Sequence, residues 1–429
     1  MSHTPPGAGT DSETPRKGGR NAFLFVIVCV TLDMLGFGLI IPVMPDLIKE
    51  LTGLEGEEAV VWGGFLTMTF ALTNFLAMPT LGGLSDRFGR RPVLLASIAT
   101  LGIDFLIMGF AHTIWLLFLG RALSGLSSAT FSTANAYIAD TTDPDERGMA
   151  FGMLGAAFGI GFILGPALGG LLGMIDTRAP FFAAAAFAFA NFLYGLFVLP
   201  ESLRRADRRR FELARANPFG AFRHFSRLPK VVWFLVAGGI FALAHSVYPA
   251  NWNFHGEIRY GWGSGEIGFS LALVGIGAAV VQAVLMGPII KRFGPVRTAV
   301  LGYSVNVIAL AAFAFAVQPW LVYLIIPISA LGGVANPAVS TITSNLTPPD
   351  AQGELHGAVA SLNAVAIIIS PLLMTQTLHI FSAPGAPVHF PGAAFLLAAI
   401  LTALAMVPLM RGIRANRQEL PEAAKAAAE

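Results

Sequence analysis

Long apolar segments alternate with short polar ones along almost the whole chain. A membrane-spanning helix needs about 20 consecutive apolar residues, and twelve segments of that kind can be recognised. They run at 22–45, 60–82, 92–111, 114–138, 150–173, 180–199, 231–253, 266–290, 298–317, 320–344, 357–379 and 391–410. The run from Ala22 lacks a small-residue cleavage site, so we interpret it as an uncleaved first helix. The pattern predicts an all-α membrane protein with twelve transmembrane helices.

Lysine and arginine are distributed unevenly between the two sets of loops. If the N-terminus is cytoplasmic, 23 of the 27 basic residues fall on the inside and only Lys49, Arg178 and Arg259 on the outside. The remaining one, Arg121, lies within a predicted span. By the positive-inside rule, this asymmetry predicts that both termini are cytoplasmic.

The two halves of the sequence repeat each other at an offset of 205 residues. Arg87, Phe88 and Gly89 then align with Arg292, Phe293 and Gly294, and Pro166 aligns with Pro371. The repeat predicts two six-helix bundles. We expect a cytoplasmic tail at 1–21, an N-terminal bundle at 22–200, a basic linker at 201–230, a C-terminal bundle at 231–411 and a second tail at 412–429.

Composition excludes several other classes of protein. Hydrophobic residues make up 55% of the 429 positions and charged residues 12%, about half of the charged fraction typical of soluble domains. The net charge of +2 gives no indication of nucleic acid binding. The sequence has no nucleotide-phosphate loop and no nucleophile–base pair, so we expect neither an enzyme nor a cofactor. His245 and His255 stand ten residues apart without an acidic cluster, so we expect no metal site.

The loop after the second span has a distinctive sequence, GGLSDRFGRR, at 82–91. Glycines allow a tight turn at the membrane surface, and Asp86 can accept hydrogen bonds from a helix N-terminus or from Arg90. Such a charge latch would hold the two halves together on the cytoplasmic side. The alternative is that the arginines only fix the topology. The residues of the predicted latch are Gly82, Asp86, Arg87, Gly89, Arg90 and Arg91.

Three patterns together resemble the major facilitator superfamily. The loop at 82–91 resembles its signature G-x-L-a-D-r-x-G-r-k. The fourth span carries Arg121 in an L-x-x-x-R-x-x-q-G pattern, with Ser124 in place of glutamine. The fifth span carries a G-x-x-x-G-P-x-x-G-G pattern, which in that superfamily is associated with antiporters. Its members here are Gly161, Gly165, Pro166, Gly169 and Gly170. Without the resemblance, the same residues indicate a packing groove between helices.

A closer resemblance is to bacterial tetracycline/proton antiporters. It rests on the first-span segment 32–45 (LDMLGFGLIIPVMP), on Asp104 in the third span, and on the segments 85–95, 138–140 and 268–272. Three positions depart from that family. Ala278 replaces its histidine, Asn306 and Val307 occupy the place of an acid, and Asn74 replaces a glutamine.

Charged residues within the spans are expected to be functional, because each costs about 2.5–3.5 kcal/mol at the centre of a helix. The sequence places Asp33, Asp104 and Arg121 there, all in the first half. The resemblance implies that these residues couple proton movement to transport. The alternative for Asp33 is a permanent salt bridge with Arg121, and the alternative for Asp104 is a structural hydrogen-bond acceptor.

Amide side chains in the second half predict a polar lining for a substrate cavity. Amides interleaved with aromatic rings suit amphipathic organic molecules. The predicted cavity residues are Asn74, His245, Asn251, Gln282, Asn306, Asn336 and Asn363. His245 lies on an apolar helix, so a core histidine is the alternative interpretation.

Three functions are consistent with these features. The first is a proton-coupled efflux antiporter in the bacterial inner membrane, the second an importer or facilitator of a small metabolite, and the third a non-transporting receptor. The soluble segments are too short for a signalling domain, which argues against the receptor. We expect a monomer in contact with membrane lipid that binds protons and a small amphipathic organic substrate, and no nucleic acid.

Overall fold

A computed structural model describes residues 20–127, 130–142, 146–203, 206, 208, 228–386 and 388–420. Every regular element among them is helical, which confirms the predicted fold class. The α-helices are α1 Arg20–Ile40, α2 Met44–Thr52, α3 Gly56–Phe88, α4 Arg90–Gly109, α5 Ile114–Ser127, α6 Thr130–Thr141, α7 Arg147–Gly173, α8 Ala179–Val198, α9 Val232–His245, α10 Val247–Tyr260, α11 Ser264–Val280, α12 Met286–Phe315, α13 Pro319–Leu331, α14 Ala335–Leu346, α15 Gln352–Ser382 and α16 Ala393–Ala415.

Ten helical segments among the described residues are long and apolar enough to cross a membrane, or eleven if the bent pair α1–α2 is one span. The segment Ser264–Phe315 has 52 residues, which at 1.5 Å per residue is about 78 Å, more than twice the apolar thickness of a bilayer. Its backbone breaks at Gly294, where φ is 73° and ψ is 165°. This segment therefore contains two passages, at the places of the predicted spans 266–290 and 298–317.

Several predicted spans are broken helices. The first bends by 47° between α1 and α2, where Pro42 and Pro45 lack the N–H that a continuous helix needs. The tenth has a short 3₁₀ turn at Gly332–Val334 between α13 and α14. Each of these two predicted spans therefore contains two of the described helices.

Helices pack extensively both within each half and between the halves. In the first half, α1 packs against α7 and α8, and α4 packs against α5 and α8. In the second half, α9 packs against α15 and α16, and α12 against α14 and α16. The halves meet where α7 packs against α11, and where α3 packs against α10 and α15.

The two ends of the bundle pack differently. We call the end that holds Arg87–Arg91 and Lys291–Arg297 the basic end, and the other the opposite end. At the opposite end one hydrophobic cluster includes residues of both halves, among them Leu47 and Val60 of the first and Trp252 of the second. At the basic end each half has a cluster of its own. The halves are therefore joined at the opposite end and have separate cores at the basic end.

Polar contacts between the halves also lie at the opposite end. Lys49 Nζ lies 2.7 Å from Glu257 Oε1, and Asn253 donates to the carbonyl of Ile41 at 2.5 Å. His379 Nδ1 lies 2.9 Å from the carbonyl oxygen of Glu57. These contacts close the opposite end in this conformation.

The internal repeat has a backbone counterpart at the turn after the second and eighth spans. Gly89 and its repeat partner Gly294 both have positive φ, 110° and 73°. Side chains other than glycine rarely adopt such values. The predicted tails and linker lie mostly outside the described residues, which exclude 1–19, 209–227 and 421–429.

Candidate functional site

Asp33 lies in the interior of the first half, with 4% of its surface exposed. Asn191 of α8 donates from Nδ2 to its Oδ1 at 3.2 Å, and the side chain of Thr130 is a second hydrogen-bond partner. Oδ2 has no hydrogen-bond partner among the described residues. The carboxyl group is thus held by neutral side chains and is incompletely bonded.

Asp104 is fully buried on α4. Ser124 of α5 donates a short hydrogen bond to its Oδ2, and Oδ1 has no partner among the described side chains. Arg121 is 8% exposed, and its guanidinium carbon lies 4.7 Å from the centre of the Phe70 ring. Asp104 is the acid whose charge acts on Arg121. The described residues show no salt bridge between Arg121 and Asp33, so the geometry does not favour their permanent pairing.

The partners of these two acids belong to no sequence motif that points to them. Ser124 stands in the place of a motif glutamine, and Asn191 and Thr130 lie outside the motifs. Asn191 is a polar residue within the otherwise apolar run of α8. An isolated amide in an apolar span is the signal that would have found it, because a buried amide needs a partner.

The loop at 82–91 has its described polar contacts within the first half. Arg90 Nη1 lies 2.6 Å from Asp86 Oδ1, and Arg90 Nε lies 3.1 Å from Asp140 Oδ2. Its backbone N–H donates to Glu201 Oε1 at 2.8 Å. Arg91 donates to the carbonyl of Leu196 at 2.7 Å.

This network joins the ends of α3, α4, α6 and α8. Asp86 and Arg90 thus form the ion pair that the sequence predicted. Arg87 lies over the neighbouring Phe88 ring, 5.1 Å from its centre, and Gly82 has open space beside it. Among the described residues, the polar contacts of this network do not reach the second half.

The glycines of α7 serve two different contacts. A Cβ atom added at Gly161 would lie 2.6 Å from a backbone oxygen of α1, and one added at Gly165 would lie 2.7 Å from another. A Cβ atom added at Gly169 would collide with Leu39, which is also on α1. Gly170 instead faces α11 of the other half, where its added Cβ would lie 2.6 Å from the Ser264 oxygen and 3.1 Å from Gly268. The pattern permits close helix approach both within the first half and between the halves.

The predicted cavity amides fall into two groups. Asn251 donates to the Met374 carbonyl at 2.8 Å, and Asn306 donates to the Gly302 and Gly332 carbonyls at 2.9 Å. Both are buried and tie helices of the second half together. The other amides are partly or fully exposed, and they are Asn74, Gln282, Asn336 and Asn363.

His245 lies within a run of aromatic rings along α9 and α10. Its ring stacks on Phe241, with centres 4.9 Å apart, and meets Tyr248 edge-on at 5.0 Å. Its Nδ1 has no partner among the described residues. The arrangement resembles an aromatic core and places no acid beside the ring.

Comparison with known proteins agrees with this architecture. The family model for the major facilitator superfamily matches residues 26–371 and 257–429. Tetracycline resistance protein, class C, of Escherichia coli is 38% identical over 392 residues, which cover 91% of this chain and 97% of that protein. Multidrug resistance protein 2 of Bacillus subtilis is 28% identical, with 80% and 84% covered. The crystal structure of the nucleoside transporter NupG has the same fold, with a TM-score of 0.74 at 13% identity, and the match covers 91% of this chain and 99% of that chain.

The family match spans most of the chain, and the similarity to the class C protein is nearly complete in length. The chain belongs to the major facilitator superfamily and is a multi-pass membrane transporter, not an enzyme.

Proposed function

We propose that this transporter is a proton-coupled efflux antiporter for amphipathic drugs or metabolites, located in the bacterial inner membrane. The observation that carries the proposal is the pair of buried carboxyl groups, Asp33 and Asp104, each with one oxygen that lacks a hydrogen-bond partner. Both lie in the first half.

Orientation follows from the distribution of basic residues. The basic end carries Arg87, Arg90 and Arg91 as well as Lys291 and Arg297, and an excess of positive charge marks the cytoplasmic side. The separate cores at this end then face the cytoplasm, and the end that the contacts between the halves hold closed faces the outside.

Proton binding removes the buried negative charge of the two acids. A buried carboxylate oxygen without a partner costs about 1–3 kcal/mol or more, and its negative charge adds to that cost in an apolar medium. A bound proton removes the charge and supplies an O–H donor. Asp33 and Asp104 are therefore suited to alternate between two protonation states.

Exchange follows when the proton and a cationic substrate favour different states of the first half. A ligand shifts a conformational equilibrium only by the difference in its affinity for the two states. The charge of Arg121 acts on Asp104. Protonation of Asp104 therefore changes the net charge of these two neighbouring residues in the first half. Protons move inward as substrate moves outward, and the opposite end must open in the other half of the cycle.

The loop and helix patterns have supporting roles in this proposal. Asp86 and Arg90 set the packing of the basic end, where a latch would form when that end closes. The glycines of α7 keep α1, which carries Asp33, in close contact with the helix that meets the second half. A change at Asp33 is then transmitted directly to the interface between the halves.

The substrate is proposed as a class. The relatives are named for resistance to tetracycline and to multiple drugs. Ala278 and Asn306 stand where tetracycline antiporters carry a histidine and an acid, so neither of these positions in the second half titrates near neutral pH. A cavity of this kind discriminates weakly between cations and neutral drugs, so we expect broad specificity or a substrate other than tetracycline.

Everted membrane vesicles test direction, coupling and substrate together. Uptake of tetracycline, a fluorescent lipophilic cation and a neutral phenicol is measured with and without a proton gradient. We expect gradient-driven uptake by the wild type and by Asp176→Asn, which alters an exposed acid at the opposite end, but not by Asp33→Asn. Transport that runs with the proton would indicate an importer, and strong, exclusive tetracycline exchange would overturn the substrate proposal.

A further inference from the structure

Asn191 is a buried amide that belongs to none of the motifs described above. It is fully buried on α8, and its Nδ2 faces three acceptors on one turn of α1. These are the Cys29 carbonyl oxygen at 3.3 Å, the Cys29 sulfur at 3.4 Å and Asp33 Oδ1 at 3.2 Å. One amide nitrogen thus connects the coupling acid with the backbone of its own helix.

The bond to Asp33 depends on the charge of the carboxyl group. A hydrogen bond to an ionised acceptor is roughly twice as strong as one between neutral groups. The bonds to Cys29 do not involve an ionised group in either state. When Asp33 takes up a proton, the contact between α1 and α8 therefore weakens at this one point.

We propose that Asn191 is a positioning residue for proton coupling, holding the ionised Asp33 and linking its protonation to the contact between α1 and α8. The inference rests on the proposed function, in which Asp33 is the coupling acid. It concerns a residue that takes part through Asp33 and does not itself exchange a proton.

The other groups around α1 do not replace this interaction. α6 contributes the Thr130 side chain to Asp33; its Tyr137 hydroxyl donates to the Pro200 carbonyl, and its Asp140 pairs with Arg90. On α8, Tyr194 packs against Phe25 with ring centres 5.1 Å apart.

The third helix that packs against α1 is α7. It carries no charged residue after Arg147. On α1 itself, Cys29 is the titratable neighbour of Asp33. Among the described residues, Thr130 and Asn191 are thus the side chains that hydrogen-bond Asp33, and Asn191 is the one that also bonds the backbone of α1.

Two variants separate a positioning role from a packing role. Asn191→Leu keeps a similar volume but removes the donor, whereas Asn191→Gln keeps an amide. Loss of one hydrogen bond to a charged group changes the energy difference between the two protonation states by an amount equivalent to about one pH unit. We expect Asn191→Leu to raise the half-maximal pH of gradient-driven transport by about one unit, and Asn191→Gln to restore most of that shift.

Infrared titration of the purified protein makes the test independent of transport. The carboxyl band that is missing in Asp33→Asn reports the protonation of Asp33 directly. Its midpoint should rise by about one unit in Asn191→Leu and return towards the wild-type value in Asn191→Gln. An unchanged midpoint in folded Asn191→Leu protein would overturn the inference. A shifted midpoint in a protein without proton-coupled transport would support the inference while contradicting the proposed function.

Discussion

The ion pair between Lys49 and Glu257 offers a quantitative test of how the opposite end is held closed. Lys49 also bonds to Asp46 within α2, at 2.9 Å, but that contact lies within one helix and persists when the halves part. Of the two ion pairs that Lys49 forms, only the 2.7 Å contact with Glu257 joins the halves. Its loss therefore acts on the conformational equilibrium, because it exists in one state and not in the other.

The size of the effect follows from the geometry. Two unit charges 2.7 Å apart attract by about 6 kcal/mol at an effective dielectric constant of 20. Both side chains are 21% exposed. Solvent screening, desolvation and side-chain entropy therefore offset most of this attraction. We expect a net contribution of about 1–2 kcal/mol, between the values for exposed and buried pairs. That corresponds to a change of about 5- to 30-fold in the ratio of closed to open molecules.

Spin labels at the opposite end measure this ratio. Cysteines replace Glu55 and Gln318, which are exposed residues of the two halves, while the native Cys29 is fully buried and stays unlabelled. Lys49→Glu should shift the distance distribution towards the open state by at least the factor given above, because it removes the attraction and places a second acid beside Glu257. Glu257→Lys alone should do the same, and the double charge exchange should restore the closed population.

Two outcomes would refute this reasoning. A double exchange as open as either single variant would show that the effects are local and do not arise from the pair. A Lys49→Glu distribution equal to that of the wild type would show that the apolar cluster at this end holds the halves without it.

Three further predictions concern the first half. Gly165→Val should lower the amount of folded protein in the membrane, because the valine side chain meets the backbone of α1. Gly155→Val, where the space beside the glycine is open, should not. Equal expression of the two variants would contradict the close packing of α7 against α1. Asp86→Asn should slow the transport cycle several-fold and leave equilibrium substrate binding near the wild-type level, and a lost binding site would place Asp86 in the cavity instead. Ser124→Ala removes the hydroxyl bonded to Asp104 and should alter the pH profile of transport without changing substrate affinity; an unchanged profile would separate Asp104 from coupling.

The fold was predictable from the sequence because its determinants are local and repetitive. Runs of about 20 apolar residues predicted the helical architecture, and Gly89 and Gly294, which the repeat at 205 residues aligns, both have positive φ. Breaks inside the spans were less predictable. A bend such as that between α1 and α2 depends on how the surrounding helices replace the hydrogen bonds that proline removes.

The site was predictable only for residues that are conspicuous in sequence. A charge within an apolar span marks Asp33, Asp104 and Arg121 directly. Their partners are neutral residues on other helices, so spacing along the chain carries no signal for Asn191. Asn306 is the opposite case. Its polar side chain predicted a place in the substrate cavity, but its amide donates to the Gly302 and Gly332 carbonyls and joins two helical segments.

The most direct test of the account is proton movement driven by substrate in reconstituted vesicles. Purified protein is placed in vesicles with an internal pH indicator, a proton gradient is imposed, and a transported drug identified in the everted-vesicle panel is added. The account predicts that the drug dissipates the gradient through the wild type and through Asp176→Asn, and has no effect through Asp33→Asn. Equal, drug-dependent proton flux through Asp33→Asn would contradict the central claim that this carboxyl group couples the proton to export.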